Sequence, residues 1–283
     1  MSSVIPSPWY RDDRHEIARQ WIQQGQVGSD RLTPYTRSVA QELEVLRATL
    51  SEDEQARYRA LGGACARILT EVLQMATPGV TEADIAGMVA GELLPAGIVP
   101  EVLLVGSDER LENFRHPHTT MKKVVHSIMI NLTARQWGLY LSLSRARYFG
   151  KLPAVLAAKQ QAAAQVAATL LALSRPGVSL AELYMAAKEA YAEAGYHSEE
   201  EFHHQGGTTG YRGRERRAQP GEVWQIMAGQ AVAWNPTVRG AKSEDTALIY
   251  ADRVEIISAS PGWPMLTISA NGCMFERPVV MAD

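Results

Sequence analysis

The sequence is poor in cysteine and has no long apolar run. Only Cys65 and Cys273 occur among its 283 residues, which excludes a disulfide scaffold or a cysteine-based zinc module and suits a reducing compartment. No stretch of about 18 apolar residues is present, so we expect no membrane-spanning helix. The first residues lack the basic and apolar regions of a secretory signal, and a cytoplasmic location is therefore expected.

An excess of charge of one sign is also missing. Lys and Arg number 28 against 31 Asp and Glu, which leaves a formal net charge of -3 and argues against a nucleic-acid partner. The hydrophobic share of 46% is that of a globular protein and excludes wholesale disorder. A chain of this length can bury enough apolar surface to fold without stabilising disulfide bonds or metal ions.

An internal repeat organises the chain. Pro176-Gly177-Val178-Ser179 repeats Pro78-Gly79-Val80-Thr81 98 positions further along, and an Ala-Gly pair closes both copies at Gly97 and Gly195. Small residues match easily among Ala-rich helices, so coincidence is the alternative. The shared turn and the shared ending favour duplication, and the period is too long for a solenoid. We expect one domain built of two similar halves.

Helix signals flank the first of these turns. Ser51 followed by three acidic residues predicts a helix from there to about Gln74, and Thr81 caps a second helix that ends near Ala96. A short amphipathic helix is predicted from Arg14 to Gln24.

Strand patterns follow the helices. Ser127 to Thr133 and Leu139 to Tyr148 flank a turn at Gln136-Trp137-Gly138, which predicts a hairpin. Further strands are predicted at Val223–Met227, Gln230–Asn235 and Asp245–Tyr250. The predicted fold class is α+β, with helices outside a curved antiparallel sheet.

Unusual polar residues are concentrated on or beside these strands. They occur in Arg115–His118, at Asn131 with Ser142, in His203–Gly207, and in Trp234–Pro236 with Lys242–Asp245. Six of the seven histidines fall between positions 116 and 204. Clustered imidazoles beside carboxylates are candidates for acid–base chemistry or metal binding.

Together these motifs resemble the pita-bread family, which includes creatinase, prolidase, aminopeptidase P and methionine aminopeptidase. The resemblance covers roughly residues 52 to 260 and is carried by four features: the repeated Pro-Gly-Val turns, the hairpin at 127–150, His-His-Gln-Gly-Gly-Thr-Thr-Gly at 203–210 and Lys-Ser-Glu-Asp-Thr at 242–246. It implies an internally duplicated α+β domain. The hydrolases of this family use two metal ions held by two Asp, one His and two Glu.

The departures from the family pattern concern those ligands. The five matching positions carry, in chain order, Asn131, Ser142, Gly207, Asn235 and Glu244. The outer His positions of the motif hold His203 and Arg214. A single carboxylate cannot hold two divalent ions, and neutral amides are weak replacements. We therefore expect no cofactor and no two-metal mechanism; the alternative is a mononuclear site built from histidines with Glu244.

Creatinase resembles the peptidases but works without metal, and it cleaves a carbon–nitrogen bond with a His as the acid–base group. The resemblance therefore implies that a metal-free reaction is possible on this fold. The candidate catalytic residues are His116, His118, His203, His204 and Glu244. His118 is slightly favoured over His116 because it follows Pro117, as in the family's Pro-His pattern. The candidate substrate-binding residues are Arg115, Asn131, Tyr140, Ser142, Arg145, Asn235, Lys242 and Asp245.

Structural roles are the alternative for several of these residues. A histidine at a strand start is often a half-buried, hydrogen-bonded residue, and Glu244-Asp245 could form a strand-end ion pair with Lys242. Gly206-Gly207 could supply a backbone with positive φ. The four arginines between 212 and 217 follow an acidic run and are expected to form a solvated face.

The expected domain organisation is a short N-terminal segment at 1–50, in place of the extra domain of longer family members, and a pita-bread domain at 51–283. A homodimer is in keeping with the family. The predicted function is metal-independent cleavage of a C–N bond in a small polar molecule, by hydrolysis or elimination. The alternatives are a catalytically inactive binding protein and a metallopeptidase with an altered metal site. The fold itself does not name the substrate.

Overall fold

The computed structural model describes residues 6–21, 27–30 and 36–283. Two compact units divide the chain at residues 1–48 and 49–283. The first contains α1 (Arg14–Trp21), α2 (Ala40–Ala48) and a parallel pair of short strands, β1 (Gly28–Ser29) and β2 (Arg37–Ser38). The predicted N-terminal helix is confirmed as far as Trp21, and its expected last turn lies outside the described residues.

The larger unit carries the remaining elements. Its helices are α3 (Glu52–Met75), α4 (Glu82–Leu93), α5 (Glu109–Asn113), α6 (Ala154–Leu173) and α7 (Leu180–Glu193), with 3-10 turns at Leu94–Ala96 and Glu199–Glu201. Its strands are β3 (Val99–Ser107), β4 (Ser127–Gln136), β5 (Leu139–Tyr148), β6 (Gly206–Thr209), β7 (Arg216–Arg217), β8 (Ala231–Trp234), β9 (Thr237–Val238), β10 (Ala241–Lys242), β11 (Asp245–Ile249), β12 (Val254–Ile256), β13 (Met265–Ala270), β14 (Cys273–Pro278) and β15 (Met281–Ala282). Among the described residues no helix combines the length and hydropathy needed to cross a bilayer.

The duplication predicted from the Pro-Gly-Val turns is present in the structure. Gly79 and Gly177 adopt positive φ values of 95° and 91°, which only glycine tolerates readily. The helix after each turn begins with a capping box, formed by Thr81 in α4 and by Ser179 in α7. The α-helix of the first copy ends at Leu93, earlier than expected, because Pro95 has no N–H with which to continue the helical hydrogen bonds, and the chain goes on as a 3-10 turn.

The predicted hairpin forms the centre of a four-stranded sheet with the order β15-β5-β4-β3. Trp137 and Gly138 make its two-residue loop, both with positive φ, as a hairpin turn of type I′ requires. A five-stranded sheet with the order β12-β11-β8-β6-β7 belongs to the second half. Its pairings are antiparallel, which confirms the predicted fold class.

The strand predicted at Val223–Met227 is wrong. Its backbone bonds instead to the second Pro-Gly-Val turn and the start of α7. The amide of Ile226 donates to the carbonyl of Val178, the carbonyl of Ile226 accepts from the amide of Gly177, and the carbonyl of Trp224 accepts from the amide of Leu180. The segment therefore satisfies the open N–H groups at the start of α7 rather than joining the sheet. Residues 122–124 do the same for α4 in the first half.

The two sheets meet along β5 and the segment that leads into β11. The amide of Ser144 donates to the carbonyl of Glu244 at 3.2 Å, and the amide of Ser142 donates to Oγ1 of Thr246 at 2.9 Å. Each sheet buries its outer face under its own helix pair, as the two main apolar clusters show. The polar residues of β4 and β5 thus lie against the ends of β8 and β11.

Candidate active site

A cavity of about 430 Å³ lies where β3, β4 and β5 meet the ends of β8 and β11. Of the residues predicted from the sequence, it is lined by His116, Asn131, Tyr140, His204, Asn235, Lys242 and Glu244. These come from distant parts of the chain, and the sheet contacts described above bring them together. Arg214 and Arg217, which the sequence did not nominate for a site, line it as well.

Glu244 is the buried acidic residue of this cavity. Its Oε2 accepts a short hydrogen bond from the hydroxyl of Ser144 and lies 4.0 Å from Nζ of Lys242. Its Oε1 lies 3.5 Å from Nη2 of Arg214. One carboxylate therefore sits between two positively charged side chains.

Asn131 lies directly across the hairpin from Ser144 in the β4–β5 register. Its Oδ1 is 2.8 Å from the Ser144 hydroxyl, and its Nδ2 is buried without a partner. Because the hydroxyl carries a single proton, which the ionised Glu244 also attracts, one polar atom of the Asn131 amide is left unpaired in either orientation of the amide. Asn235, on the opposite wall, likewise has a buried Oδ1 without a partner.

The two cations are poorly hydrated. The side chain of Lys242 is 3% exposed and that of Arg214 is 10% exposed. Burial lowers the pKa of both groups, and the negative charge of Glu244 opposes this effect in each case. Nη1 of Arg214 donates to the hydroxyl of Ser142 at 3.2 Å, while its Nε has no partner.

The histidines of the site are held in their neutral form. Burial lowers the pKa of His204 to about 3, and the positive charge of Arg214 adds to the effect. Burial likewise lowers the pKa of His203 to about 3, with a further contribution from Lys242. The pKa of His116 is lowered by the same two causes. Neutral imidazoles can accept a proton or donate an N–H bond at physiological pH.

The three rings form a row with His203 in the middle, between the two histidines that line the cavity. The ring centroids of His116 and His203 are 6.1 Å apart, and those of His203 and His204 are 6.5 Å apart. His203 is not part of the cavity wall: its Nδ1 lies 3.1 Å from Nε2 of Gln205, which also donates to its carbonyl. His203 therefore contacts His116 and His204 rather than the cavity.

Arg145 and Asp245 lie behind the cavity and not in its wall. Nη2 of Arg145 is 2.9 Å from one oxygen of Asp245, and Nη2 of Arg277 is 2.6 Å from the other. All three side chains are essentially inaccessible to solvent. We expected Arg145 and Asp245 to contact a substrate. The structure corrects this expectation, because their charged groups pair with each other and with Arg277 in the interior.

Arg115 and His118 are also outside the cavity wall. Arg115 pairs with the carboxylate of Glu199 and donates to the carbonyl of Thr237. His118 is exposed, and its carbonyl accepts a bond from Arg110. The preference for His118 over His116 is therefore reversed by their positions. Ser142 does not line the cavity either, although its hydroxyl contacts Arg214 as described.

Arg214 is the residue that the sequence interpretation placed wrongly. The sequence predicts a solvated arginine face here, and the exposed Arg212 and Arg217 fit that description. Arg214 instead points at Glu244, because the chain turns back between β6 and β7. Arg214 stands at an outer His position of the family motif, and this match is the sequence feature that could have indicated a place in the site.

The residues at the family's ligand positions do not fit a two-metal centre. Among the described residues no group of three or more His, Cys, Asp or Glu side chains is arranged to hold a metal ion. A side chain at position 207 is also sterically excluded: a Cβ on Gly207, whose φ is 152°, would lie 2.0 Å from the carbonyl oxygen of Arg216. Lys242 and Arg214 place positive charge beside Glu244, the one remaining ligand, where a metal ion would be repelled.

Solved structures with the same fold are numerous and distant in sequence. The X-Pro aminopeptidase from Thermotoga maritima aligns with a TM-score of 0.77 at 15% identity, over 96% of this chain and 79% of that one. Dipeptidase PepE from Mycobacterium ulcerans gives 0.74 at 20% identity over 88% of this chain, which spans only 65% of the dipeptidase. Prolidase from Pyrococcus furiosus gives 0.71 at 18% identity, over 79% and 69% of the two chains.

The sequence itself carries the family signal. A comparison with curated protein sequences gives no match. The model of metallopeptidase family M24, in contrast, matches residues 56–251, well over half of the chain. This match confirms the resemblance to creatinase, prolidase and the aminopeptidases, and the absence of a metal-binding group among the described residues agrees with a divergent member. The chain belongs to metallopeptidase family M24, as a pita-bread protein in which most of the family's metal-ligand positions carry other residues.

Proposed function

We propose that this protein is a metal-independent hydrolase that cleaves a C–N bond of a small polar substrate. Membership of family M24 supports the hydrolase class. The observation that carries the finer proposal is the environment of Glu244: at the family's last ligand position, the carboxylate is paired with Arg214 and Lys242 instead of with other metal ligands. The polar groups needed for acid–base chemistry line the same cavity.

His204 is the proposed acid–base group, with His116 as the second member at the cavity rim. A neutral imidazole can take a proton from an attacking water and return it to the leaving nitrogen. The low pKa of His204 comes from burial and from the positive charge of neighbouring side chains. A negatively charged substrate offsets the neighbouring positive charge. It thereby raises the pKa of His204 toward the range in which a histidine is an effective base.

Glu244 orients the reacting groups in this proposal. Its position is fixed by the Ser144 hydroxyl and by the two cations. A carboxylate held in this way can direct a histidine or accept an N–H of the substrate. Asn131 and Asn235, each with a polar atom that lacks a partner, are proposed to contact the polar group of the substrate.

One observation favours a binding protein as the second candidate. Both oxygens of Glu244 already have partners, so the carboxylate is not free in the way a general base usually is. A binding protein would keep the same cavity and the same charges, and would show no turnover. The altered metallopeptidase has no comparable support from the residues present.

The test compares chelated protein with metal-supplemented protein. Full-length protein is treated with EDTA and dialysed, its residual metal is measured by mass spectrometry, and the release of amine or ammonia is followed from N-carbamoyl, N-amidino and N-acyl amino acids and from dipeptides. The proposal expects turnover that survives chelation. Turnover that appears only with added Mn²⁺, Co²⁺ or Zn²⁺ would contradict it, and ligand binding without turnover would support the binding protein.

Variants assign the acid–base group in the same assay. His204→Asn is expected to reduce the rate by about 10²-fold or more, the usual contribution of a positioned imidazole. His118→Asn is the matched control, because this histidine is exposed and lies outside the cavity wall. Equal losses in the two variants would contradict the assignment.

A further inference from the structure

His203 is a titratable residue beside the cavity that the mechanism proposed above leaves without a role. It stands between His116 and His204 in the row of rings, and its Nε2 is buried without a hydrogen-bond partner among the described residues. Its Nδ1 faces the side-chain amide of Gln205, whose Nε2 lies 3.1 Å away. A neutral imidazole carries its proton on one nitrogen only, so the partner of Nδ1 decides which nitrogen that is.

The orientation of the Gln205 amide follows from its surroundings. Nε2 of Gln205 lies 2.7 Å from the carbonyl oxygen of His203 and 3.5 Å from that of Glu200. Carbonyl oxygens can only accept, so an amide oxygen at this place would face two acceptors with no proton between them. The NH2 group of Gln205 is therefore directed at His203, and the amide oxygen is directed away from it.

Tyr191 holds the oxygen end of the same amide. The backbone amide of Thr237 donates to the Tyr191 hydroxyl at 2.7 Å, and the hydroxyl lies 2.7 Å from Oε1 of Gln205. The hydroxyl proton goes to Oε1, because the other acceptor within reach, the carbonyl of Thr237, is further away at 3.3 Å. Tyr191 and Gln205 are both completely buried, so bulk water does not compete for these bonds.

The NH2 group of Gln205 favours one arrangement of the His203 ring. A proton on Nδ1 would place two donors 3.1 Å apart, whereas an unprotonated Nδ1 accepts a bond from Gln205. The backbone carbonyl of His203 would by itself favour a proton on Nδ1. That carbonyl already accepts the 2.7 Å bond from Gln205, however, so the ring proton belongs on Nε2.

From these contacts we propose that Gln205, oriented by Tyr191, is a positioning residue that fixes His203 as the tautomer protonated on Nε2. In this form His203 offers its neighbours an N–H donor and no basic nitrogen, because the lone pair on Nδ1 is occupied by Gln205. The acid–base role is then left to His204 and His116, with His203 as a fixed donor between them. The inference rests on the proposed function only in this division of roles.

The tautomer can be measured by nitrogen NMR of full-length protein labelled with ¹⁵N in its histidine rings. Protonated and unprotonated ring nitrogens resonate in separate ranges, and the His203→Asn and His118→Asn variants assign the two rings. At about pH 8.5, well above the ordinary histidine pKa of about 6.5, the exposed His118 gives the tautomer ratio of an unrestrained ring. The ratio of Nε2–H to Nδ1–H in His203 is expected to exceed it by about 10-fold or more, the usual effect of one net hydrogen bond.

Two variants of Gln205 test the cause of this ratio. Gln205→Glu replaces the donor with a carboxylate, which accepts, and is expected to draw a proton to Nδ1 of His203. Gln205→Leu offers no polar atom and should return the ratio to that of His118, and it tests the same contact if the glutamate variant does not fold. Gln165→Glu is the matched control, because it makes the same change on α6, at a glutamine that bonds to the carbonyl of Ser269.

The outcomes separate this inference from the proposed function. A wild-type ratio in His203 equal to that in His118, a majority of Nδ1–H, or a ratio that the Gln205 variants leave unchanged would each overturn the inference. The spectra need no turnover, so the tautomer and its dependence on Gln205 would uphold the positioning role even in a protein without activity. Metal-independent turnover by a protein whose His203 carries its proton on Nδ1 would uphold the hydrolase and reject the positioning role.

Discussion

Nη2 of Arg214 lies 3.5 Å from Oε1 of Glu244, and less than a tenth of the Glu244 side chain is accessible to solvent. In the metal-dependent pita-bread hydrolases the corresponding acidic residue is a metal ligand. Here its counter-charge comes from the protein itself. Positive charge therefore lies beside the carboxylate, but it comes from the side chains of Arg214 and Lys242 and not from a metal ion.

The first prediction concerns the stability of that arrangement. Glu244→Gln removes the shared counter-charge and leaves Arg214 and Lys242 buried together, which we expect to lower the free energy of unfolding by about 3 kcal/mol. Urea unfolding followed by circular dichroism measures the change. Glu92→Gln, on the exposed face of α4, is the control. A loss no larger than that of the control would show that the two cations do not depend on Glu244.

The second prediction concerns the ion-pair network behind the cavity. Asp245→Asn leaves the guanidinium groups of Arg145 and Arg277 buried without a full negative charge, so a loss of about 3–5 kcal/mol of unfolding free energy is expected. Asp252→Asn breaks an ion pair with Arg253 whose side chains are more than half exposed, and should cost less than about 1 kcal/mol. Similar losses in both variants would refute the buried network.

The third prediction concerns position 207. Gly207→Ala places a Cβ 2.0 Å from the carbonyl oxygen of Arg216, so β7 must move away from β6. A loss of at least about 2 kcal/mol is expected from the strain and the weakened pairing. Gly213→Ala is the control in the same connection, where the nearest atom to the added Cβ is 3.7 Å away on Tyr140. Equal thermal stability of the two variants would contradict the close approach.

The fourth prediction is a dependence of stability on pH. The pKa of His203 and of His204 is lowered to about 3 in the folded protein, below the ordinary value of 6.5, so the unfolded chain binds more protons between these values. Stability is then fully present above pH 6.5 and falls as the pH decreases toward 3. One to two extra protons correspond to a slope of about 1.4–2.7 kcal/mol per pH unit.

The measurement is the free energy of urea unfolding between pH 7 and pH 5, a range that lies above most carboxyl pKa values. His204→Asn should reduce the slope by close to one proton. An unchanged slope in this variant would mean that His204 does not titrate between the folded and unfolded states as described.

Local patterns made most of the fold predictable. The Pro-Gly-Val turns, the capping residues Thr81 and Ser179 and the Trp137-Gly138 turn each act within a few residues, so their consequences can be inferred from short stretches of sequence. The segment at Val223–Met227 has the composition of a strand, but the open N–H groups of α7 determine its bonds. Such long-range competition is invisible in a short window.

The site was predictable in its residue types and less so in its geometry. His116, His204, Lys242 and Glu244 could be nominated because they stand within a family motif or beside one. The role of Asp245 could not be foreseen, because its second partner, Arg277, comes from the hairpin near the C-terminus. A charged residue in a motif cannot be assigned to a substrate until every ion partner in the fold is known.

The close approach of Gly207 to the Arg216 carbonyl also constrains how this protein can evolve. Substitutions at positions 131, 142 and 235 could each restore a ligand type by ordinary point mutation. A histidine at position 207 is different, because it has no space until β7 shifts. A metal site of the family's type in this protein would therefore need a shift of the β7 backbone as well as new side chains.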